Sequence, residues 1–232
     1  RLGYLSDGIF MSQDEINNHK IIQDGNGNLT LRPGDIKYRD LDSNDTINFR
    51  DQDLIGYSSN MPEISFGMDI KIKYKNLQLS SILQGASKFS IYINGPAANM
   101  FSNGSIPLSY HYDYAWQPHP NNPAENINPD AILPAASLSS NSNNAKISDF
   151  WLRDVRYLRM KNINLSYNIP ERVLSKIGLK SSQIYISSEN LKTWNNLGIY
   201  KNTFDPEFDP GTQATRRYPI TRSYTVGLRL LF

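Results

Sequence analysis

From residue 223 to the end of the chain, the side chains alternate with a period of two. Tyr224, Val226, Leu228, Leu230 and Phe232 fall on one face; Ser223, Thr225, Gly227 and Arg229 fall on the other, with Leu231 the exception. This period belongs to an extended strand with one apolar and one polar face, and it is incompatible with a helix. A second stretch repeats it. Met68, Ile70, Ile72 and Tyr74 alternate with Asp69, Lys71, Lys73 and Lys75; after Asn76, Leu77, Leu79 and Leu83 alternate with Gln78, Ser80 and Gln84. Only Lys75-Asn76 separates the two runs, which predicts a tight hairpin. Continuation through Phe89, Ile91 and Ile93 makes its second strand long. Residues 150–168 and 183–194 are two further strands, and 3–11 is a weaker candidate. Ile163, Leu165 and Tyr167 share a face, but Leu158 and Met160 have the opposite parity. That mismatch predicts either a bulge near Lys161-Asn162 or an upper strand half with different surroundings. Between these strands, Pro170 to Ile177 reads as a short helix opened by proline.

The connections are unequal. Residues 12–61, 94–149 and 195–217 are long, whereas 75–76 and 170–182 are short. Long segments without a period are uncommon in compact domains and usually carry function. Alternation of short and long connections matches an outer-membrane β-barrel, with short periplasmic turns and long extracellular loops. Placing Phe232 at the periplasmic end sets all three long loops outside. No apolar run approaches the ~20 residues of a spanning helix, but barrel strands need only ~9–11 alternating residues each. A soluble β-sandwich alternates in the same way and is the competing architecture.

Composition removes several functions. The absence of cysteine rules out a disulfide framework, a thiolate zinc site and a thiol nucleophile. A formal charge of +2 gives no reason to expect nucleic acid. The chain opens Arg1-Leu2-Gly3-Tyr4 in mid-pattern, which predicts a piece of a longer protein.

Six segments, in order along nearly the whole chain, resemble the SusC/RagA family of TonB-dependent outer-membrane transporters. They are Asp7-Gly8-Ile9-Phe10 with Ser12-Gln13; Pro33-Gly34-Asp35-Ile36-Lys37-Tyr38; Pro62-Glu63-Ile64; Tyr157-Leu158-Arg159-Met160-Lys161-Asn162; Glu189-Asn190-Leu191 with Thr193-Trp194; and Tyr218-Pro219-Ile220-Thr221-Arg222-Ser223-Tyr224. The resemblance implies an all-β fold. Residues 1–232 would form about six antiparallel strands at the C-terminal end of a barrel of about 22 strands, with long extracellular loops and one short periplasmic helix. It further implies a cell outer-membrane location and import of large nutrients, oligosaccharides or peptides. The implied partners are a SusD-like surface lipoprotein acting as a lid and, through the missing N-terminal part, the TonB complex. The alternative is a secreted or surface β-sandwich binding module with a calcium-stabilised loop.

The sharpest chemical pattern is Asp40, Asp42, Asn44, Thr46 and Asp51. Oxygen-bearing residues at loop positions one, three, five, seven and twelve have the spacing of EF-hand Ca2+ loops. Position six should be glycine and is Asp45. A solvated polar turn is the plain reading of the same residues. The second pattern is Tyr110, Tyr112, Tyr114 and Trp116. Clustered aromatics suit a ligand, the lid protein, or packing of the loop on itself. Trp151, Trp194, Tyr167, Tyr224 and Phe232 read as an interfacial girdle, and Phe232 as a barrel-assembly signal. Arg216, Arg217 and Arg222 read as pore-lining residues or as partners of neighbouring carboxylates. No catalytic set is present that would make the chain an enzyme, and Asp205, Glu207 and Asp209 are merely close in sequence.

Overall fold

The computed structural model describes residues 1–57, 61–101, 104–138, 141–207 and 220–231. Phe232, Asp209, Arg216, Arg217, Tyr218 and Pro219 lie outside the described residues. Among those described, four short strands come first: β1 (Leu2–Tyr4), β2 (Ser6–Ile9), β3 (Ile36–Tyr38) and β4 (Gln52–Leu54). β1 pairs with β4 and β2 with β3, both antiparallel. The long hairpin follows as β5 (Ile64–Tyr74) and β6 (Leu77–Tyr92); a small pair, β7 (Pro118–His119) and β8 (Asn122–Asn126), lies in the next long connection. The remaining long strands are β9 (Leu152–Asn168), β10 (Ser181–Asn195) and β11 (Ser223–Leu231). The five long strands form one antiparallel sheet in the order β11-β10-β9-β6-β5. Residues 3–11 do not add a sixth strand to it. They split into β1 and β2, whose partners come from the first long loop.

Each expected strand follows from its alternation, and the register assigns its faces. Phe66, Met68, Ile72 and Tyr74 on β5 stand opposite Gly85, Leu83, Leu79 and Leu77 on β6. Tyr167 and Leu165 on β9 stand opposite Ile184 and Ile186 on β10, which in turn face Leu228 and Val226 on β11. Most of these apolar side chains are exposed; Val226 is 75% accessible. No second sheet covers this face among the described residues, which departs from the sandwich expectation. A patch of this extent is foreign to the surface of a soluble monomer. The opposite face carries Asn168, Gln183 and Arg229 in one row and Ser166, Tyr185 and Gly227 in the next.

Two glycines fit this sheet for opposite faces. A methyl group on Gly85 would overlap the Phe66 ring on the apolar face; one on Gly227 would overlap the Tyr185 ring on the polar face. Each aromatic lies across a cross-strand glycine, and the Arg229 guanidinium sits 5.4 Å from the centre of the Tyr185 ring.

The connections use ordinary turn chemistry. Lys75 adopts φ 54, as a two-residue hairpin requires. Pro170 caps α-helical residues Glu171–Leu174, a 3-10 turn continues to Ile177, and Gly178 closes it in the left-handed region at φ 74. The parity mismatch in β9 has its counterpart on the neighbouring strand. Glu189 pairs with Asn162 but Lys192 pairs with Met160, so the extra residue lies on β10, where Asn190 takes φ 51.

The chain forms two compact units. One comprises Met61–Lys88, Val155–Leu197 and Tyr218–Phe232, the main body of the sheet. The other comprises Arg1–Asn60, Phe89–Asp154 and Gly198–Arg217. This second unit gathers the three long connections into a single body with its own core, including Phe10, Ile16, Leu31, Ile36, Tyr38, Tyr110, Trp116 and Leu133. Trp151 belongs to that core, 2% exposed, with its indole N–H donating to the Asn144 carbonyl. Its reading as a girdle residue is therefore corrected; Trp194, Tyr167 and Tyr224 do stand exposed on the sheet.

Polar side chains hold the loop body together. β3 pairs with β2 along one edge. Along the other, Asn143 donates to Ile36 O, Asn144 accepts from Ile36 N, and the Gln23 carboxamide bonds both Ile36 O and Tyr38 N, all at 2.7–3.1 Å. Buried backbone groups that would otherwise lack partners are thus satisfied by amides from two separate loops.

Candidate functional site

The acidic turn lies in the first long loop. Asp40 accepts from the backbone N–H groups of Asn44 and Asp45, at 3.3 and 2.7 Å. Burial pushes its carboxyl up, and the backbone donors together outweigh that push, holding it below the ordinary value. Asp51 is fully buried. Its two oxygens accept from Leu41 N (2.9 Å) and Asn48 N (2.7 Å), the latter completing a capping box on the short 3-10 turn Phe49–Asp51. Carboxylate oxygens of Asp40, Asp42 and Asp51 all lie within 4.8 Å of one another. Of the five residues proposed as ligands, these three converge. The Asn44 side-chain oxygen instead accepts from Thr46 N, and the Thr46 carbonyl accepts from the Asn48 amide. Asp45, at the position where glycine was expected, takes φ 57, so the sharp turn forms without glycine. The chain after the turn is anchored: Ile22 N donates to Asp45 O and Ile47 N donates to Ile22 O.

A turn at Gly25-Asn26-Gly27 precedes the acidic one. Asp24 organises it. Its oxygens accept from Asn26 N, Asn28 N, Thr30 N and the Thr30 hydroxyl, each at 2.8 Å. Burial pushes the carboxyl up, and these four donors together outweigh it, lowering the pKa to about 2.

The aromatic segment folds as α1 (Ser109–Tyr114), a single short helix, and this separates its four candidates. Tyr110 is buried, donates its hydroxyl to Ala97 O at 2.6 Å, and packs edge-on against Tyr200 of the third long loop at 4.8 Å. Its neighbour His111 is also buried: Nδ1 accepts from Leu108 N and Nε2 lies 3.0 Å from Ala97 O. Burial pushes the imidazole pKa down. Trp116 is buried beside Gly34, where a side chain on the glycine would meet Ala135 and the indole. Tyr110 and Trp116 therefore serve loop packing. Tyr112, 80% exposed, and half-buried Tyr114 border a cleft of about 430 Å³ with Asp113, Gln117, Asn128 and Asp130. The cleft's amides and its second carboxylate lie up to sixteen residues downstream of Tyr114, and no local pattern connects them to it.

No family model matches the sequence. Two curated relatives do. The chain is 27% identical to TonB-dependent receptor P3 of Formosa agariphila over 91% of its own length, and 26% identical to TonB-dependent receptor P26 of the same organism over 86%. It spans 21% and 20% of those proteins, about a fifth of each. Among solved structures it is similar to one chain of the RagAB peptide importer in the "open-open" state, with TM-score 0.58 and 17% identity, covering 100% of this chain and 22% of that one. The "closed-closed" state of the same importer gives TM-score 0.55 and 15% identity, covering 99% and 22%. Sequence relatives, ordered motifs and fold agree: the chain is similar to a segment of TonB-dependent receptors, and its fold is that of part of the RagAB importer chain.

Proposed function

We propose that residues 1–232 form the C-terminal part of the barrel wall of an outer-membrane importer of large nutrients. One observation carries this reading: an antiparallel sheet with an exposed apolar face and a polar face, its three long connections folded into one body. Lipid would cover the first face, and the transport path would run along the second. The remaining wall, a plug and the segment that contacts TonB would come from the rest of the receptor. A SusD-like lipoprotein would close on the loop body. Oligosaccharides and peptides are both substrate classes that such a path can take, and the likeness to a peptide importer supports the second.

The acidic turn is proposed as a Ca2+ site that stabilises the first long loop. Three converging carboxylates and a left-handed Asp45 fit a hard cation needing six or more oxygens. Asp40, Asp42 and Asp51 would supply the charged ligands.

The test of import uses cells carrying the intact receptor. Uptake of a labelled oligopeptide mixture should stop when TonB is deleted and when the receptor gene is deleted. The lipoprotein should co-purify with the receptor. Uptake unaffected by both deletions would remove the importer reading.

A further inference from the structure

Three dipeptides set glycine directly after asparagine: Asn26-Gly27, Asn94-Gly95 and Asn103-Gly104. Asn103 lies outside the described residues. Asn94-Gly95 is half-buried, opens a 3-10 turn and is followed by Pro96. Asn26-Gly27 differs, because it forms the tip of the turn that Asp24 organises. Gly25, Asn26 and Gly27 are all exposed, and a side chain on Gly25 or Gly27 would meet nothing within 4 Å. The turn is held on both sides of the pair. Asp24 accepts from Asn26 N, Asn28 N and Thr30 N, each at 2.8 Å. Asn28, 8% exposed, accepts from Gln23 N at 2.9 Å and donates to Ile21 O at 2.8 Å. Between these anchors, the Gly27 N–H and the Asn26 carboxamide have no protein partner among the described residues. Gly27 sits at φ 65, and the missing side chain leaves its nitrogen unshielded. A backbone nitrogen and the amide carbon beside it are thus both uncommitted and open to solvent.

We propose that Asn26 is a site of spontaneous deamidation that loosens the first long loop as the protein ages. The Gly27 nitrogen attacks Asn26 Cγ and gives up its proton; the Cγ–Nδ2 bond breaks, and the side-chain nitrogen leaves with that proton as ammonia. The product is a five-membered succinimide, closed through Asn26 Cγ and the Gly27 nitrogen. Water then opens the ring at either carbonyl. Opening at Cγ restores the backbone and leaves aspartate. Opening at the backbone carbonyl leaves isoaspartate, with one extra methylene in the chain. Either product puts a carboxylate at residue 26, whose own N–H donates to Asp24, so two like charges share one turn. Isoaspartate also shifts Asn28 N and Thr30 N away from Asp24. The change reaches the acidic turn. Ile22, two residues before Asp24, donates to Asp45 O and accepts from Ile47 N.

The test stores the intact folded receptor, purified in detergent, in mildly alkaline and mildly acidic buffer. Peptide mapping by mass spectrometry then follows each asparagine for the mass gain of NH2 replaced by OH, and electron-based fragmentation tells isoaspartate from aspartate. Asn26 should convert before Asn94, to a mixture of both products, and faster in the alkaline buffer because the Gly27 nitrogen must lose its proton. Gly27→Ala should slow the conversion, since its methyl enters open space beside the attacking nitrogen. Alanine at φ 65 is strained, so a second variant is read beside it. Asn26→Ser loses no side-chain bond and should keep the turn's amide exchange constant through storage. In the native receptor, exchange at Asn28, Thr30 and Ile47 should accelerate in step with conversion. Asn26→Asp carries the charge without the extra methylene, and should show a smaller change than the isoaspartate fraction. Asn26 intact after Asn94 has converted overturns the proposal, as does conversion seen only once the receptor is unfolded in urea. Exchange at Thr30 and Ile47 that stays unchanged in fully converted protein overturns the loosening of the loop.

Discussion

Asp24 and Asp40 show how single carboxylates build these loops. Each accepts several backbone N–H groups, and each pKa lies below its ordinary value. For Asp24 the folded value, about 2, is below the ordinary 3.8. The stability it lends its turn is therefore complete above the unfolded pKa and is lost as pH falls from roughly 4 through roughly 2. Amide exchange at Asn26, Asn28 and Thr30 should accelerate in that window relative to other loop amides, and Asp24→Asn should abolish the pH dependence. At the acidic turn, Ca2+ at millimolar concentration should slow exchange around residues 41–51 in the intact receptor, and D42N should weaken the effect. Calorimetric silence at millimolar Ca2+ would remove the proposed metal. The Asp-Asn spacing was readable in the sequence, but the left-handed Asp45 was not, because the turn conformation depends on the bonds Asp40 accepts. The Tyr110–Trp116 segment misleads a linear reading for a different reason. Its aromatics recur every second residue, as in a strand, yet the backbone is helical, so Tyr110 and His111 turn inward while Tyr112 and Asp113 turn out.

At the scale of elements, the long strands were legible because alternation runs through most of each; in β9 its parity changes where the neighbouring strand β10 carries an extra residue. The β5–β6 hairpin, the Pro170 helix and the terminal strand all lie within a few residues of their expected bounds. Strand 3–11 failed as a wall strand because its partners, residues 36–38 and 52–54, lie far along the chain and no local pattern reports them. The amide clamp was equally hidden. Asn141, Asn143 and Asn144 look like solvated loop residues until β3 supplies buried backbone groups for Asn143 and Asn144 to satisfy, while Asn141 bonds the Asp35 carboxylate. Asn144→Ala should cost about 1–3 kcal/mol by leaving Ile36 N and an Asp35 oxygen underpaired. Exchange protection should then fall in the first loop as well as the second. Gly227→Leu should displace the Tyr185 ring and lower assembly yield, whereas Thr225→Leu, two residues away on the same face, should be milder. Quantifying folded receptor by heat-modifiable electrophoresis would compare them.

At the scale of the molecule, three connections that differ in sequence close into one body. The first and second are tied by the amide clamp, the second and third by the Tyr110–Tyr200 contact. Tyr110→Ala should cost about 3–5 kcal/mol by removing a buried ring. Limited proteolysis should then cut the third loop along with the second; cleavage confined to the second would show that the loops are independent. The account depends most on the identity of the medium that covers the sheet's apolar face. The direct measurement is the amount of intact receptor assembled in the outer membrane for Val226→Arg against Thr225→Arg, adjacent residues on opposite faces of β11. The account predicts a marked loss for V226R, equivalent to about 2–4 kcal/mol near the middle of the bilayer, and near-normal assembly for T225R. Equal tolerance of the two, or greater damage from T225R, would contradict a lipid-facing surface.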